Sequence, residues 1–104
     1  MREVNILGML YTVCSSTDLM DKGLDGECCY YSKQIKIRPW SKMLDDTSSD
    51  MEKQYRHREV VRHEIVHAFL YESGLSEYAQ DEQLVDWIAM QFPKIEEAII
   101  QAVR

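Results

Sequence analysis

His63-Glu64-Ile65-Val66-His67 decides how this chain is read. The two histidines stand four residues apart, which on an α-helix puts them one turn apart on the same face. Their imidazoles can converge on one ion. Glu64 follows His63 by about 100° of rotation, which carries its carboxylate past such an ion toward the place of a bound water. The alternative is a coincidence of helix residues, with Glu64 a solvated surface charge. Against it stands the run Glu64-Ile65-Val66-His67-Ala68-Phe69-Leu70, apolar nearly all round and so expected to be buried. Burying ionisable groups without partners is costly, and metal coordination satisfies them.

The helix that this reading needs is marked at both ends. Ser49-Asp50-Met51-Glu52 fits a capping box, and Gly74 supplies a stop. Neither proline nor glycine interrupts the stretch between them. The spacing predicts one helix from residue 50 to Ser73, about 23 residues or about 35 Å long. Its charged first half is expected to be exposed and its motif-bearing half buried.

Ahead of the helix the chain reads as sheet. Val4 to Val13 is β-rich and ends at the polar Ser15-Ser16-Thr17-Asp18. Asp25-Gly26 reads as a turn. Glu27 to Ser32 and Gln34 to Arg38 read as two strands joined near Ser32-Lys33, the second alternating at period two and closed by Pro39. Lys33, Lys36 and Arg38 suit an edge strand guarded by charge. Residues 41–49 read as a polar linker. Beyond Gly74, Ser76 to Gln80 is a short connection. A second helix is expected from Asp81 to Phe92, and Pro93 suits the first turn of a third. The fold class is α+β in a single domain over residues 1–104: a small antiparallel sheet of about three strands, then the motif helix and two more.

The bulk properties fit a small soluble domain. The chain has 104 residues, 45% of them hydrophobic and 29% charged, ordinary values for a globular protein. A net charge of −6 argues against nucleic acid as a partner, because that surface needs a basic stripe. Arg56-His57-Arg58 and Arg62 are interleaved with Glu52 and Glu59 and read as a solvated helix face. No stretch is long and apolar enough to cross a membrane, and the N-terminus lacks a secretory pattern. Cys14, Cys28 and Cys29 make an odd number, which points to reduced thiols and a cytoplasmic protein. Cys28 and Cys29 lack C-x-x-C spacing, which argues against a cysteine zinc site.

A catalytic zinc takes three protein ligands and keeps one position open. His57 lies six residues before His63, about 240° away in net rotation, and faces elsewhere. Glu72 is rotated by about 180° from His63 and about 140° from His67, and Glu77 falls in the turn with no fixed reach. Glu82 and Asp86 differ. They lie four apart on one face of a helix able to fold back antiparallel, and Leu84, Val85, Trp87, Ile88, Ala89 and Met90 around them make that helix mostly buried. Two acids on a buried helix need a partner.

H-E-x-x-H followed by E-x-x-x-D resembles the gluzincin branch of the zinc metallopeptidases. The resemblance implies a Zn2+ cofactor held by His63, His67 and Glu82, with Asp86 hydrogen-bonded to His63 and fixing its tautomer. More narrowly, the run Glu82-Gln83-Leu84-Val85-Asp86-Trp87-Ile88-Ala89-Met90-Gln91-Phe92-Pro93, with Leu7-Gly8 and Asp25-Gly26-Glu27-Cys28 in front, is similar to minimal ImmA/IrrE-type domains and related small phage and prophage proteins. The specific motifs lie in residues 63–93. Two departures stand out. Position 71 is Tyr71, so a third histidine at that spacing is absent, and the substrate-recognition domain of larger members has no counterpart here. The implied activity is peptidase, with a peptide or protein substrate, a regulatory protein among the candidates. Glu64 would be the general base. Tyr71, one turn beyond His67, or Tyr78 in the connecting loop would steady the oxyanion. The strand Gln34–Arg38 is placed to hold a peptide by strand addition if it borders the cleft. Two rival readings are a non-enzymatic interaction protein with a structural or vestigial zinc site and a metal-free helical adaptor. The intact Glu64 speaks against the first. The second predicts that chelators leave folding unchanged.

Overall fold

The β-rich N-terminal run folds into a hairpin because Leu7-Gly8 can take the left-handed backbone a two-residue turn requires. Their φ angles are 51° and 92°, and the Asn5 side chain accepts a hydrogen bond from the Gly8 N–H at 2.8 Å. The computed structural model describes residues 1–104. The hairpin is β1 (Arg2–Ile6) and β2 (Met9–Ser15), followed by a short helix α1 (Asp18–Lys22). A second hairpin, β3 (Gly26–Cys29) and β4 (Gln34–Ile37), closes through Lys33 with φ 57°. The sheet is therefore four-stranded rather than three-stranded, in the order β1-β2-β4-β3. It is mixed rather than antiparallel, because β2 pairs parallel to β4 while the two hairpins pair antiparallel. A parallel pair needs a crossover; α1 and β3 supply it. One consequence reverses the expectation for Gln34–Arg38: β4 lies inside the sheet, and β1 and β3 are its edges. Asp25-Gly26 is not a tight turn either, since Gly26 opens β3.

The long helix α2 (Asp50–Glu72) forms where expected. The Ser49 hydroxyl accepts from the Glu52 N–H at 3.1 Å, and the Glu52 carboxylate accepts from the Ser49 N–H at 2.8 Å. Its second half packs on the sheet. Ile6, Tyr11, Ile35, Ile37, Val60 and Ala68 form the core, joined by a fully buried Met43. Residues 41–49 are thus more than a polar linker: a 3₁₀ turn at Trp40–Lys42 delivers Met43 inward. At the far end of α2, Glu72 turns from the motif face as its rotation requires. It accepts from the Tyr11 hydroxyl at 2.5 Å and pairs with Lys33 at 2.6 Å, tying the helix end to the sheet.

Beyond Gly74 the chain makes a short helix α3 (Ser76–Ala79) where a plain connection was expected. It then forms one continuous helix, α4 (Glu82–Val103). Pro93 does not start a new helix; it lies inside this one. A proline there deprives the carbonyl four residues earlier of its N–H donor, here Ala89. The Arg62 guanidinium of α2 supplies the missing donor, Nε to Ala89 O at 3.0 Å. The helix is also less buried than its apolar content suggests. Only Val85 and Ala89, one turn apart, are fully enclosed, while Trp87, Met90 and Phe92 are more than half exposed. No helix of the chain is long and apolar enough to cross a membrane.

Candidate metal centre

α4 runs back along α2, so its first turn faces the motif. Three side chains meet there. His63 Nε2 and His67 Nε2 are 3.1 Å apart. Glu82 Oε2 lies 3.0 Å from His63 Nε2, and Glu82 Oε1 lies 3.1 Å from His67 Nε2. Ligand atoms around a tetrahedral ion at about 2.0–2.1 Å stand about 3.3 Å apart, so the spacing is close to that of one shared ion.

The remaining ring nitrogens strengthen this fit. His63 Nδ1 sits 2.7 Å from Asp86 Oδ1, which favours the proton on Nδ1 and leaves the Nε2 lone pair toward His67 and Glu82. The backbone of Ala79, the one buried residue of α3, lies beside the His67 ring. Burial, the largest influence on His67, also holds its pKa below the usual range and favours the neutral ring. With Nε2 unprotonated on both rings, two imidazole lone pairs and two carboxylate oxygens face and repel one another at 3.0–3.1 Å. A cation relieves that repulsion, and His63, His67 and Glu82 form a group able to hold a metal ion.

Glu64 lies beside the group, its Oε2 4.0 Å from His63 Nε2. It is 6% exposed. Burial pushes its pKa up to about 8, and the carboxylates of Glu82, Glu27 and Asp86 add to the rise; a cation in the cleft opposes it. Room for this side chain comes from Gly26 in β3. A Cβ there would fall 2.7 Å from Val60 Cγ1 and 2.9 Å from both Cγ and Oε2 of Glu64. Gly26 has no positive φ; it is required because strand and helix approach so closely. Sequence reasoning assigned this glycine to a turn and missed its place against the candidate base.

These residues open into a cleft of about 620 Å³. One wall is the edge strand β3, through Gly26, Glu27 and Cys28, so β3 takes the place expected of Gln34–Arg38. The other is α4, through Glu82, Asp86, Ala89 and Met90. Burial, with help from Glu64, pushes the Cys28 thiol up to about 12, so it stays protonated. Tyr71 borders the cleft, its ring stacked on Tyr30 at 4.1 Å between centroids. Tyr78, His57, Glu72 and Glu77 do not line it.

One expectation about the site needs correction. Glu82 and Asp86 side chains are 65% and 63% exposed, so burial is not what brings the two acids to a partner. They sit at the open rim of α4, and what fixes them is the pair of histidines they face. Comparison of the chain with protein-family models, curated proteins and solved structures finds no match.

Proposed function

We propose that the chain is a zinc-dependent peptidase with a zincin-like, gluzincin-type site. The observation that carries this reading is the convergence of His63, His67 and Glu82 donor atoms at 3.0–3.1 Å beside a buried carboxylate. Two imidazoles and one carboxylate suit zinc and leave a position open, as catalytic sites do. Zinc held there would supply a Lewis acid that polarises a carbonyl and lowers the pKa of water.

The chain's own groups have separate tasks. Asp86 holds the Nδ1 proton of His63. Glu64 Oε2 takes a proton from the attacking water and passes it to the departing amine. The open edge of β3 offers backbone N–H and C=O groups to an extended peptide. Tyr71, which borders the cleft, would donate its hydroxyl to the carbonyl oxygen while its ring keeps packing on Tyr30.

The test is metal content and hydrolysis together. Wild type is expected to bind about one zinc per chain and to cleave members of a broad peptide library. Glu64→Gln should keep the zinc and lose cleavage, and His67→Ala should lose both. A zinc-free protein whose melting ignores chelators would overturn the reading. Bound zinc with no cleavage would favour a non-catalytic metal module.

A further inference from the structure

We propose that Arg62 anchors a substrate carboxylate in this cleft, so that the preferred peptide carries one near the scissile bond. The inference rests on the peptidase reading and names its substrate class. Arg62 immediately precedes the ligand His63 and lines the same cleft. Glu64 and Arg62 leave the helix about 100° to either side of His63. Glu64 faces the β3 wall and Arg62 the α4 wall, so a peptide lying along β3 passes between them.

Arg56 and Arg62 are the arginines of the cleft, and their states differ. Arg56 is taken: Asp25 Oδ2 lies 3.0 Å from its Nη2 and 3.1 Å from its Nε, and Glu59 is 3.8 Å from its Nη1. Arg62 makes no ion pair, although Glu59, Glu82 and Asp86 border the same space. Its one hydrogen bond to the protein is from Nε to Ala89 O at 3.0 Å. No buried side-chain nitrogen in the chain lacks a partner, so the two terminal nitrogens of Arg62 reach solvent.

The proline in α4 makes this arrangement specific. Pro93 leaves the Ala89 carbonyl without its helical donor, and that carbonyl fixes the inner edge of the guanidinium. The outer N–H groups remain free on a group already oriented. A guanidinium so presented binds a carboxylate through two parallel hydrogen bonds, which a lysine ammonium cannot reproduce. The carboxylate can come from an acidic side chain or from the peptide C-terminus.

The experiment measures binding without turnover. Zinc-loaded Glu64→Gln protein is titrated with three peptides of one sequence: neutral and amidated, amidated with one glutamine replaced by glutamate, and neutral with a free C-terminus. The glutamate is moved along the peptide in turn. At least one carboxylate form should bind about tenfold more tightly than the neutral one, and which form does so identifies the source. Placing Arg62→Met in a Pro93→Ala background, where residue 93 regains its N–H for Ala89, should erase the preference and spare neutral-peptide binding. Pro93→Ala alone, which returns the helical donor to Ala89, should weaken the preference without erasing it, and Arg62→Lys should keep part of it. Equal binding of all forms, no binding of any, or a preference that survives Arg62→Met would overturn the inference. Wild type that cleaves peptides without regard to carboxylates would refute the anchor and leave the peptidase. A carboxylate preference without cleavage by wild type would do the reverse.

Discussion

Gly26→Ala places one methyl group against the candidate base, and its effect follows from the geometry. The new Cβ would stand 2.7 Å from Val60 Cγ1, where ordinary contact begins at 3.4 Å, so strand and helix must part by about 0.7 Å. Over-packing of this kind costs about 1–3 kcal/mol. Because Gly26 has no positive φ, alanine also recovers about 0.4–1 kcal/mol by restricting the unfolded chain. The net expectation is a loss of about 1–2 kcal/mol, or a fall in Tm of about 5–15 °C for a domain of this size. The shift also moves Glu64, and a misplacement near 1 Å costs about a hundredfold in rate. Hydrolysis should therefore drop by about ten- to a hundredfold while zinc content is unchanged. Thermal unfolding by circular dichroism reads the first effect, and peptide cleavage with metal analysis reads the second. Val60→Ala removes one clashing atom, so Gly26→Ala should cost less in that background. A Gly26→Ala protein that melts at or above the wild-type temperature and keeps its activity would refute the close-approach reasoning.

Asp86→Ala frees His63 Nδ1, and loss of such an outer partner should weaken zinc binding about 10- to 100-fold in a competition titration with a chelator. Arg62→Leu should cost about 1–2 kcal/mol by leaving the enclosed Ala89 carbonyl unpaired; the cost should largely vanish in a Pro93→Ala background, as a double-mutant cycle by chemical denaturation can read. Hydrogen bonds from Lys33 and then Tyr11 hold the Glu72 carboxyl below its ordinary value of 4.5. A lowered folded-state pKa gives stability that is complete above the unfolded value and lost as pH falls through the folded one. Tm should therefore decline with acid below about pH 4.5, less steeply in Glu72→Gln.

The parts of the fold most legible in sequence are those that local chemistry decides. The α2 boundaries follow from the Ser49–Glu52 box and Gly74, and both are satisfied within a few residues. The rotation of Glu72 away from the motif face follows from helical periodicity, whereas the place of Glu82 beside the two histidines was implied by the resemblance to gluzincins and needed α4 to fold back on α2. What escaped notice depends on partners distant in the chain. Pro93 ends helices by local rules, yet α4 continues because Arg62, from another helix, bonds the carbonyl that proline abandons. Gly26 resembles a turn glycine until Val60 and Glu64 are seen to crowd it. The parallel pairing of β2 with β4 leaves no local trace, so the edge strand was misassigned. Leu7-Gly8 did carry a signal, a glycine inside a β-rich run, but leucine is an uncommon residue for left-handed backbone.

X-ray absorption at the zinc edge of the zinc-loaded chain addresses the metal centre most directly. A His63–His67–Glu82 centre predicts two imidazole nitrogens and carboxylate oxygen at about 2.0–2.1 Å, with one imidazole lost in His67→Ala. A sulfur ligand at about 2.3 Å, from Cys28 beside the cleft, or a spectrum free of imidazole would contradict it.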